Sequence, residues 1–266
     1  MVLTAALLIA CYAPTLRGMF EQWWNEEDMS HGLVVPILIF WVIWRERDRW
    51  RALRSQPSAW GFGLLAAGAG LHFAGVLGVG LFAGSVALMI SIAGAVLCLG
   101  GFPSLRMLAF PFALAAFMLP KLAFVYNQVT LPLQLLASRI AAGLLTLARI
   151  GVIREGNILD VGGHRVDVAE ACNGIRYLFA LGLMAVIFAY VADSKPWMRW
   201  ALLAAAVPIA ILANAVRVAV AGWLPFLDSG FPHAVSGWLI FTLCLAPLIL
   251  LRELFNKVYV SCQSRA

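Results

Sequence analysis

The chain has 266 residues, of which 63% are hydrophobic and only 12% are charged, and it carries a net charge of +6. A soluble domain could not bury this much apolar surface in one core, so the composition predicts an integral membrane protein. The positive charge then reflects membrane topology and contact with anionic lipid headgroups, which argues against nucleic-acid binding.

Eight apolar segments are expected to cross the membrane. A spanning helix needs about 17 to 25 mostly apolar residues, because the hydrocarbon layer is about 30 Å thick and a helix rises about 1.5 Å per residue. The predicted segments, two of them short, are 2–16, 30–44, 60–78, 81–99, 107–120, 171–192, 199–223 and 234–251. The predicted fold is an all-α integral membrane protein with about eight transmembrane helices, in a single polytopic domain over residues 1–266.

The basic residues predict the orientation, since they concentrate in loops that are not translocated. Ten of them follow every second predicted segment: Arg45, Arg47, Arg49, Arg51, Arg54, Arg106, Lys195, Arg199, Arg252 and Lys257. Six others fall on the opposite side, where longer loops obey the rule weakly: Arg17, Lys121, Arg139, Arg149, Arg154 and Arg165. With eight spans these loops share one side, which predicts that both termini are cytoplasmic. Residues 20–30, 121–170 and 224–233 then lie on the outer side.

The outer stretch 121–170 contains two predicted elements. From 127 to 150 the apolar residues recur at helical spacing, which predicts an amphipathic outer helix at the interface or against the bundle. A ninth spanning helix is the alternative, and it would reverse the sides assigned to the residues after it. Segments 158–161 and 165–168 alternate apolar and polar residues around Gly162-Gly163-His164, which predicts a small β-hairpin before the sixth span.

Cys172 lies where a polar stretch meets an apolar helix, in the run Glu170-Ala171-Cys172-Asn173-Gly174-Ile175-Arg176. A helix N-terminus and a nearby cation favour the thiolate, which is the form that attacks a carbonyl group. The other cysteines are expected to be structural: Cys11, Cys98, Cys244 and Cys262. The cysteines and histidines lack metal-ligand spacing, so neither a metal nor another cofactor is expected.

Two more polar groups recur at a comparable depth. Arg217 lies near the outer end of the seventh predicted span, and His233 opens the eighth. Because consecutive spans alternate in direction, Cys172, Arg217 and His233 are expected to meet at one membrane face. His233 could protonate a leaving amine, and Arg217 could bind the oxyanion of a tetrahedral intermediate. The three residues therefore predict an acyl-transfer site.

Each of these groups also has a structural interpretation. Arg217 could extend to a lipid phosphate, His233 could be an interfacial loop histidine, and Cys172 could be a buried thiol. Glu170 and Arg176 flank the thiol and could pair with one another or with charges on a substrate. Asn173 and Asn214 are expected to support the site or to bind substrate.

At these residues the chain resembles the exosortase/archaeosortase family of membrane transpeptidases. The similarity includes Tyr177 after the cysteine run, Asn214-Ala215-Val216-Arg217, and His233 followed by Gly237-Trp238. It extends upstream to Ser30-His31-Gly32, 131–138 and 154–157, and so covers most of the chain. Position 173 is Asn where many relatives have Ser, which leaves the subfamily open but not the nucleophile.

The resemblance implies a cysteine enzyme of the cytoplasmic (inner) membrane with its active site on the outer, periplasmic face. Its expected partners are membrane lipids, an unidentified acyl acceptor, and secreted proteins that end in a sorting tail. Such a tail has a short motif such as Pro-Glu-Pro, one transmembrane helix and a basic cluster. Cys172 would cut at the motif and hold the acyl group until the acceptor takes it.

Two alternatives use the same residues. A non-catalytic transporter or scaffold would bind a headgroup or small solute with them, although transporters usually place such residues near the midplane, between repeated halves. A purely hydrolytic intramembrane protease would form the same acyl-enzyme as a transpeptidase. Only the fate of the acyl group distinguishes the two enzymes.

Overall fold

A computed structural model describes residues 2–168, 174–192, 195–227 and 230–263. Helices account for most of these residues, which agrees with the predicted all-α membrane class. Among the described residues, six helical segments are long and apolar enough to cross a membrane, and a bent helix pair adds a seventh if the pair forms one span. The chain folds into two compact units, residues 1–123 and 124–266.

The first unit is built from seven α-helices and short 3₁₀ and π segments. The α-helices are α1 (Val2–Cys11), α2 (Ala13–Asn25), α3 (Val35–Arg45), α4 (Arg47–Ala52), α5 (Trp60–Ala74), α6 (Leu81–Met107) and α7 (Ala109–Ala115). The 3₁₀ segments are Glu27–Leu33 and Ala116–Met118, and a π segment follows α5 at Gly75–Val79. Helices α1 and α2 meet at 70°.

Polar contacts stabilise the interior of the first unit at this bend. The Tyr12 hydroxyl lies 3.3 Å from the Gly68 carbonyl oxygen and 2.7 Å from Ser91 Oγ, so it can donate to the first and accept from the second. The Tyr12 ring packs against His72, with 4.3 Å between the ring centroids. Polar groups in a membrane interior need such partners, because hydrocarbon offers none.

Lys121 anchors the end of the first unit to the segment that precedes α3. Its Nζ lies 2.8 Å from a carboxylate oxygen of Glu26 and 3.2 Å from one of Asp28. Nearby, Trp23 donates a hydrogen bond to the Met118 carbonyl oxygen at 3.0 Å. These contacts bring 118–121 against 23–28, two stretches that the sequence assigned to the same side.

Helices α5 and α6 pack closely because glycine lies at their contact. A methyl group on Gly68 would collide with Ser91 Oγ and lie 3.1 Å from the Ala87 carbonyl oxygen. Small residues let two helix backbones approach in this way, and close packing drives helix association in membranes.

We therefore expect Gly68→Ala to destabilise the first unit, by about 1–3 kcal/mol from overpacking. Gly70→Ala is the matched control, because a methyl group there meets nothing within 4 Å. Thermal unfolding of the two purified variants in detergent compares them. Equal melting temperatures would contradict the close α5–α6 contact.

The second unit combines helices with one small sheet. Its elements are α8 (Ala123–Leu147), β1 (Ile153–Glu155), β2 (Ile158–Val161), β3 (His164–Asp167), α9 (Ile175–Val191), α10 (Pro196–Trp223) and α11 (Gly230–Gln263). The strands are antiparallel in the order β1-β2-β3, and Val161 pairs with His164 across a Gly162-Gly163 turn. Both glycines have positive φ (61° and 88°), as a two-residue hairpin turn requires. The sequence predicted two strands here, and the structure adds β1.

Two apolar clusters hold the second unit together. One joins α9, α10 and α11 through Tyr177, Leu181, Ala185, Ala206, Ala210, Ala213, Cys244 and Leu248. The other joins α8, the sheet and α10 through Ala137, Ala141, Leu145, Leu159, Val168, Val218 and Ala219. The second cluster places the C-terminal parts of α8 and α10 beside the sheet. We call this end of the second unit the sheet end.

The structure revises three predicted segments, and eight spans are not confirmed. Segment 107–120 forms only α7 and a 3₁₀ turn, because Leu119 is extended before Pro120 and a helix rarely continues into a residue that precedes proline. Segment 171–192 yields α9, which has 17 residues and starts after Gly174. Segment 127–150 lies mostly in α8, whose 25 residues meet the length and composition of a span, which favours the spanning alternative over an interfacial helix. If α8 crosses the membrane in place of segment 107–120, the number of crossings before the sheet is unchanged, and later residues keep the sides assigned from the sequence.

Candidate active site

The structure describes some of the predicted site residues and not others. Arg176, Asn214 and Arg217 belong to α9 and α10. Three predicted residues lie outside the described part of the chain: Glu170, Cys172 and Asn173. His233 belongs to α11, but its side chain is also outside the described part. The meeting of Cys172, Arg217 and His233 therefore stays a prediction.

The cysteine segment, residues 169–173, is flanked by Val168 and Gly174, and both flanking residues lie close to α10 within one helical turn of Arg217. Val168, before the segment, is fully buried in the cluster that contains Val218 and Ala219. Its backbone N–H donates to the Asn157 carbonyl oxygen at 3.0 Å. Gly174, after the segment, packs against Asn214, so that a Cβ at position 174 would lie 3.2 Å from Asn214 Nδ2.

Gly174 also sets the start of α9. It has a positive φ of 84°, which a residue with a side chain rarely adopts. Its carbonyl oxygen accepts a hydrogen bond from the Leu178 N–H at 2.9 Å, the first bond of the helix. Glycine thus allows both the left-handed backbone and the close approach to α10.

Arg217 is buried where α9, α10 and α11 meet. It is only 4% exposed. Its Cζ lies 5.7 Å from the centroid of the Tyr177 ring, and a Cβ on Gly237 would lie 3.5 Å from Cζ and Nη2. The Tyr177 hydroxyl donates to the Gly237 carbonyl oxygen at 3.2 Å.

The burial of Arg217 argues against the lipid-phosphate alternative. A guanidinium that extends to a phosphate at the membrane surface would be exposed in a structure without lipid. A charged group inside a membrane domain is costly, so its presence there indicates a functional role or strong compensation.

Other residues near this site were not predicted as functional. Tyr177 and Gly237 appeared only as neighbours in the sequence motifs, since local spacing does not reveal that they meet Arg217 from different helices. Ser138 of α8 is fully buried and donates to the Gly156 carbonyl oxygen at 2.9 Å, next to β2. A small, mainly apolar cavity lies next to Gly174 and is lined by Leu133, Ala137, Gly174, Leu178, Ile211 and Asn214. Within the described ranges, no three His, Cys, Asp or Glu side chains are placed to hold a metal ion.

Comparison with known families identifies the chain. It matches the family described as Transmembrane exosortase (Exosortase_EpsH) over residues 23–250. The chain belongs to the exosortase family. The match covers most of the chain, including the cysteine, arginine and histidine motifs, and confirms the family resemblance. Neither a curated protein nor a solved structure matches the chain significantly.

We expect Gly174→Ala to impair this exosortase family member in two ways. The variant strains the left-handed backbone at the start of α9 and crowds Asn214, at a cost of about 1–3 kcal/mol. Gly143→Ala in α8 is the control, because a methyl group there meets nothing within 4 Å and alanine favours helix. Melting temperature in detergent measures the effect. A Gly174→Ala protein as stable as the control would contradict the packing of Gly174 on α10.

Proposed function

We propose that this protein is a membrane cysteine transpeptidase. It would cleave the C-terminal sorting signal of secreted proteins and transfer them to a cell-surface acceptor. Family membership supports the general class of protease or transpeptidase. The single observation that carries the proposal is the buried guanidinium of Arg217, located between the chain segments that lead to Cys172 and His233.

Chain geometry limits how far the other two groups can lie from this guanidinium. Two peptide units separate Cys172 from Gly174, so their Cα atoms are at most about 7 Å apart. Gly174 contacts Asn214, which is one helical turn from Arg217 in α10. His233 lies one turn before Gly237 in α11, an axial rise of about 6 Å, and Gly237 adjoins the guanidinium. These distances support the convergence of the three groups.

The proposed chemistry assigns one step to each group. The Cys172 thiolate attacks the carbonyl carbon at the sorting motif, and Arg217 hydrogen-bonds to the oxyanion that forms. The peptide C–N bond then breaks, and His233 gives the departing amine its proton. A thioester links the substrate to Cys172. The proton that His233 gives away is the one it took from the Cys172 thiol. An acceptor amine then attacks this thioester, loses a proton to His233, forms a new amide and releases the Cys172 thiolate.

We propose four supporting residues for this centre. Asn214 packs against Gly174 and is almost fully buried, so it is suited to hold the end of the cysteine segment in place. Arg176 is in the first turn of α9, and Glu170 and Asn173 flank the thiol in sequence. We assign Asn173 to binding of the motif, and Glu170 and Arg176 to binding of the motif or to local charge pairing.

The charge distribution supports an active site on the outer face of the inner membrane. The short connection between α9 and α10 carries Lys195 and Arg199. At this end, Arg252 of α11 donates to the Ala192 carbonyl oxygen at 3.3 Å. Cations in a short loop indicate the cytoplasmic side, and the sheet end lies at the other end of α9 and α10.

The proposal predicts a defined pattern in a reporter assay. The reporter carries a Pro-Glu-Pro-like motif, one transmembrane helix and a basic tail, and it is co-expressed with each enzyme variant. Cys172→Ala and His233→Ala should abolish its shortening. Arg217→Lys should reduce it strongly, because lysine keeps the charge but loses the planar donor fork. Cys244→Ala and Arg252→Lys are the matched controls and should process the reporter normally.

Mass spectrometry of the new C-terminus distinguishes the remaining alternatives. An attached amine or lipid supports transpeptidation, and a free carboxylate supports a hydrolytic protease. Normal processing by Cys172→Ala would refute the mechanism. A reporter that the wild-type protein leaves uncut across several motif variants would support the non-catalytic binding protein.

A further inference from the structure

We propose that Tyr177 is the positioning residue of Arg217: its ring, which is held in place by the bond from its hydroxyl to Gly237, keeps the guanidinium in the orientation that oxyanion binding requires. This inference rests on the proposed role of Arg217 in acyl transfer. It goes further, because it assigns to a residue on a different helix the task of preparing Arg217 before substrate arrives.

The first observation is the contact between the ring and the cation. Arg217 Cζ lies 5.7 Å from the centroid of the Tyr177 ring, within the range of a cation–π interaction. Both residues are at most 5% exposed. Such interactions are strongest when water is excluded, so the ring is well placed to restrict the guanidinium.

The second observation is that the ring itself is held in place. The Tyr177 hydroxyl donates to the Gly237 carbonyl oxygen at 3.2 Å, which ties α9 to α11. The phenol proton is therefore engaged with backbone, so we assign Tyr177 a positioning role rather than proton transfer to substrate.

The third observation is the lack of a side chain at Gly237. A Cβ there would lie 3.4 Å from the Tyr177 hydroxyl oxygen and 3.5 Å from Arg217 Cζ. One methyl group would make ordinary contacts, but the further atoms of a larger side chain would compete with the guanidinium for space. The backbone of α11 and the Tyr177 ring of α9 thus both limit the space in which the Arg217 guanidinium can move.

Restricting Arg217 matters because of how oxyanion stabilisation works. Donors that already point at the developing charge need no reorganisation during the reaction. A free arginine has several rotatable bonds, and ordering them at the transition state would raise the barrier. Loss of Tyr177 should therefore lower kcat much more than it weakens substrate capture.

Three variants test this role. Tyr177→Leu removes ring and hydroxyl, and we expect kcat to fall about tenfold or more. Tyr177→Phe keeps the ring and loses only the bond to Gly237, so it should restore most of the rate, to within about threefold of wild type. Phe188→Leu is the matched control on the same helix, since the Phe188 ring faces Arg252 at 6.0 Å near the other end. It should leave kcat unchanged.

Substrate capture separates positioning from a general structural defect. The double variant Cys172→Ala/Tyr177→Leu should co-purify the same amount of uncut reporter as the single variant Cys172→Ala. Equal losses of capture and turnover would overturn the proposal. If Tyr177→Leu fails to purify as a folded protein, Tyr177→Met, which also lacks the ring, replaces it: a lower kcat with unchanged KM supports positioning, and an unchanged kcat overturns it.

Chemical modification of Arg217 provides a readout that needs no substrate. Purified protein is treated with phenylglyoxal, and mass spectrometry measures the modification rate at Arg217. We expect Tyr177→Leu to increase this rate at least about fivefold, because the guanidinium loses its ring contact, while Tyr177→Phe and Phe188→Leu stay near wild type. An unchanged rate in folded Tyr177→Leu would overturn the positioning role. Failure of the reporter assay alone would instead count against the proposed function.

Discussion

The burial of one guanidinium in a membrane domain is the constraint around which the second unit is arranged. Arg217 is almost completely buried, in a part of the protein where an uncompensated charge is costly. Its neighbours come from three helices: the Tyr177 ring from α9, the helix α10 itself, and the glycine backbone at 237 in α11. Glycine at 174 and 237 allows the chain to approach α10 closely on two sides. Gly174 and Gly237, which adjoin the segments of Cys172 and His233 in sequence, lie against the same part of α10.

Composition and hydropathy predicted the membrane class and several helices well, because the mean hydropathy of a segment depends on its residues and not on how the segment packs. The segments 60–78 and 199–223 correspond closely to Trp60–Gly78 and Pro196–Trp223. The predicted spans were not confirmed where proline and short helices interrupt apolar runs, as in α7 before Pro120. Segment 127–150 was ambiguous because a spanning helix with one polar face has the same periodicity as an interfacial helix. The polar residues Gln134 and Ser138 are in fact buried in α8.

For the candidate site, the sequence indicated the order of the residues along the chain but not their side-chain contacts. The order of cysteine, arginine and histidine along consecutive helices could be recognised from the sequence, since alternating helices bring their ends to one face. The depth of Arg217 could not, because arginine side chains at a helix end often extend to the surface. The role of Tyr177 was also hidden, since its contacts depend on how α9, α10 and α11 are rotated against one another. Spacing within one helix carries no information on that rotation.

Cross-linking tests most directly whether the thiol and the imidazole position meet. The enzyme keeps Cys172, has its cysteines at 11, 98, 244 and 262 replaced, and carries either His233→Cys or Val235→Cys. These two positions are about 200° apart around α11, at nearly the same depth. A short bismaleimide should link Cys172 to the cysteine at 233 and leave the 235 variant unlinked. No link at 233, or equal links at both positions, would contradict the convergence on which the proposed mechanism depends.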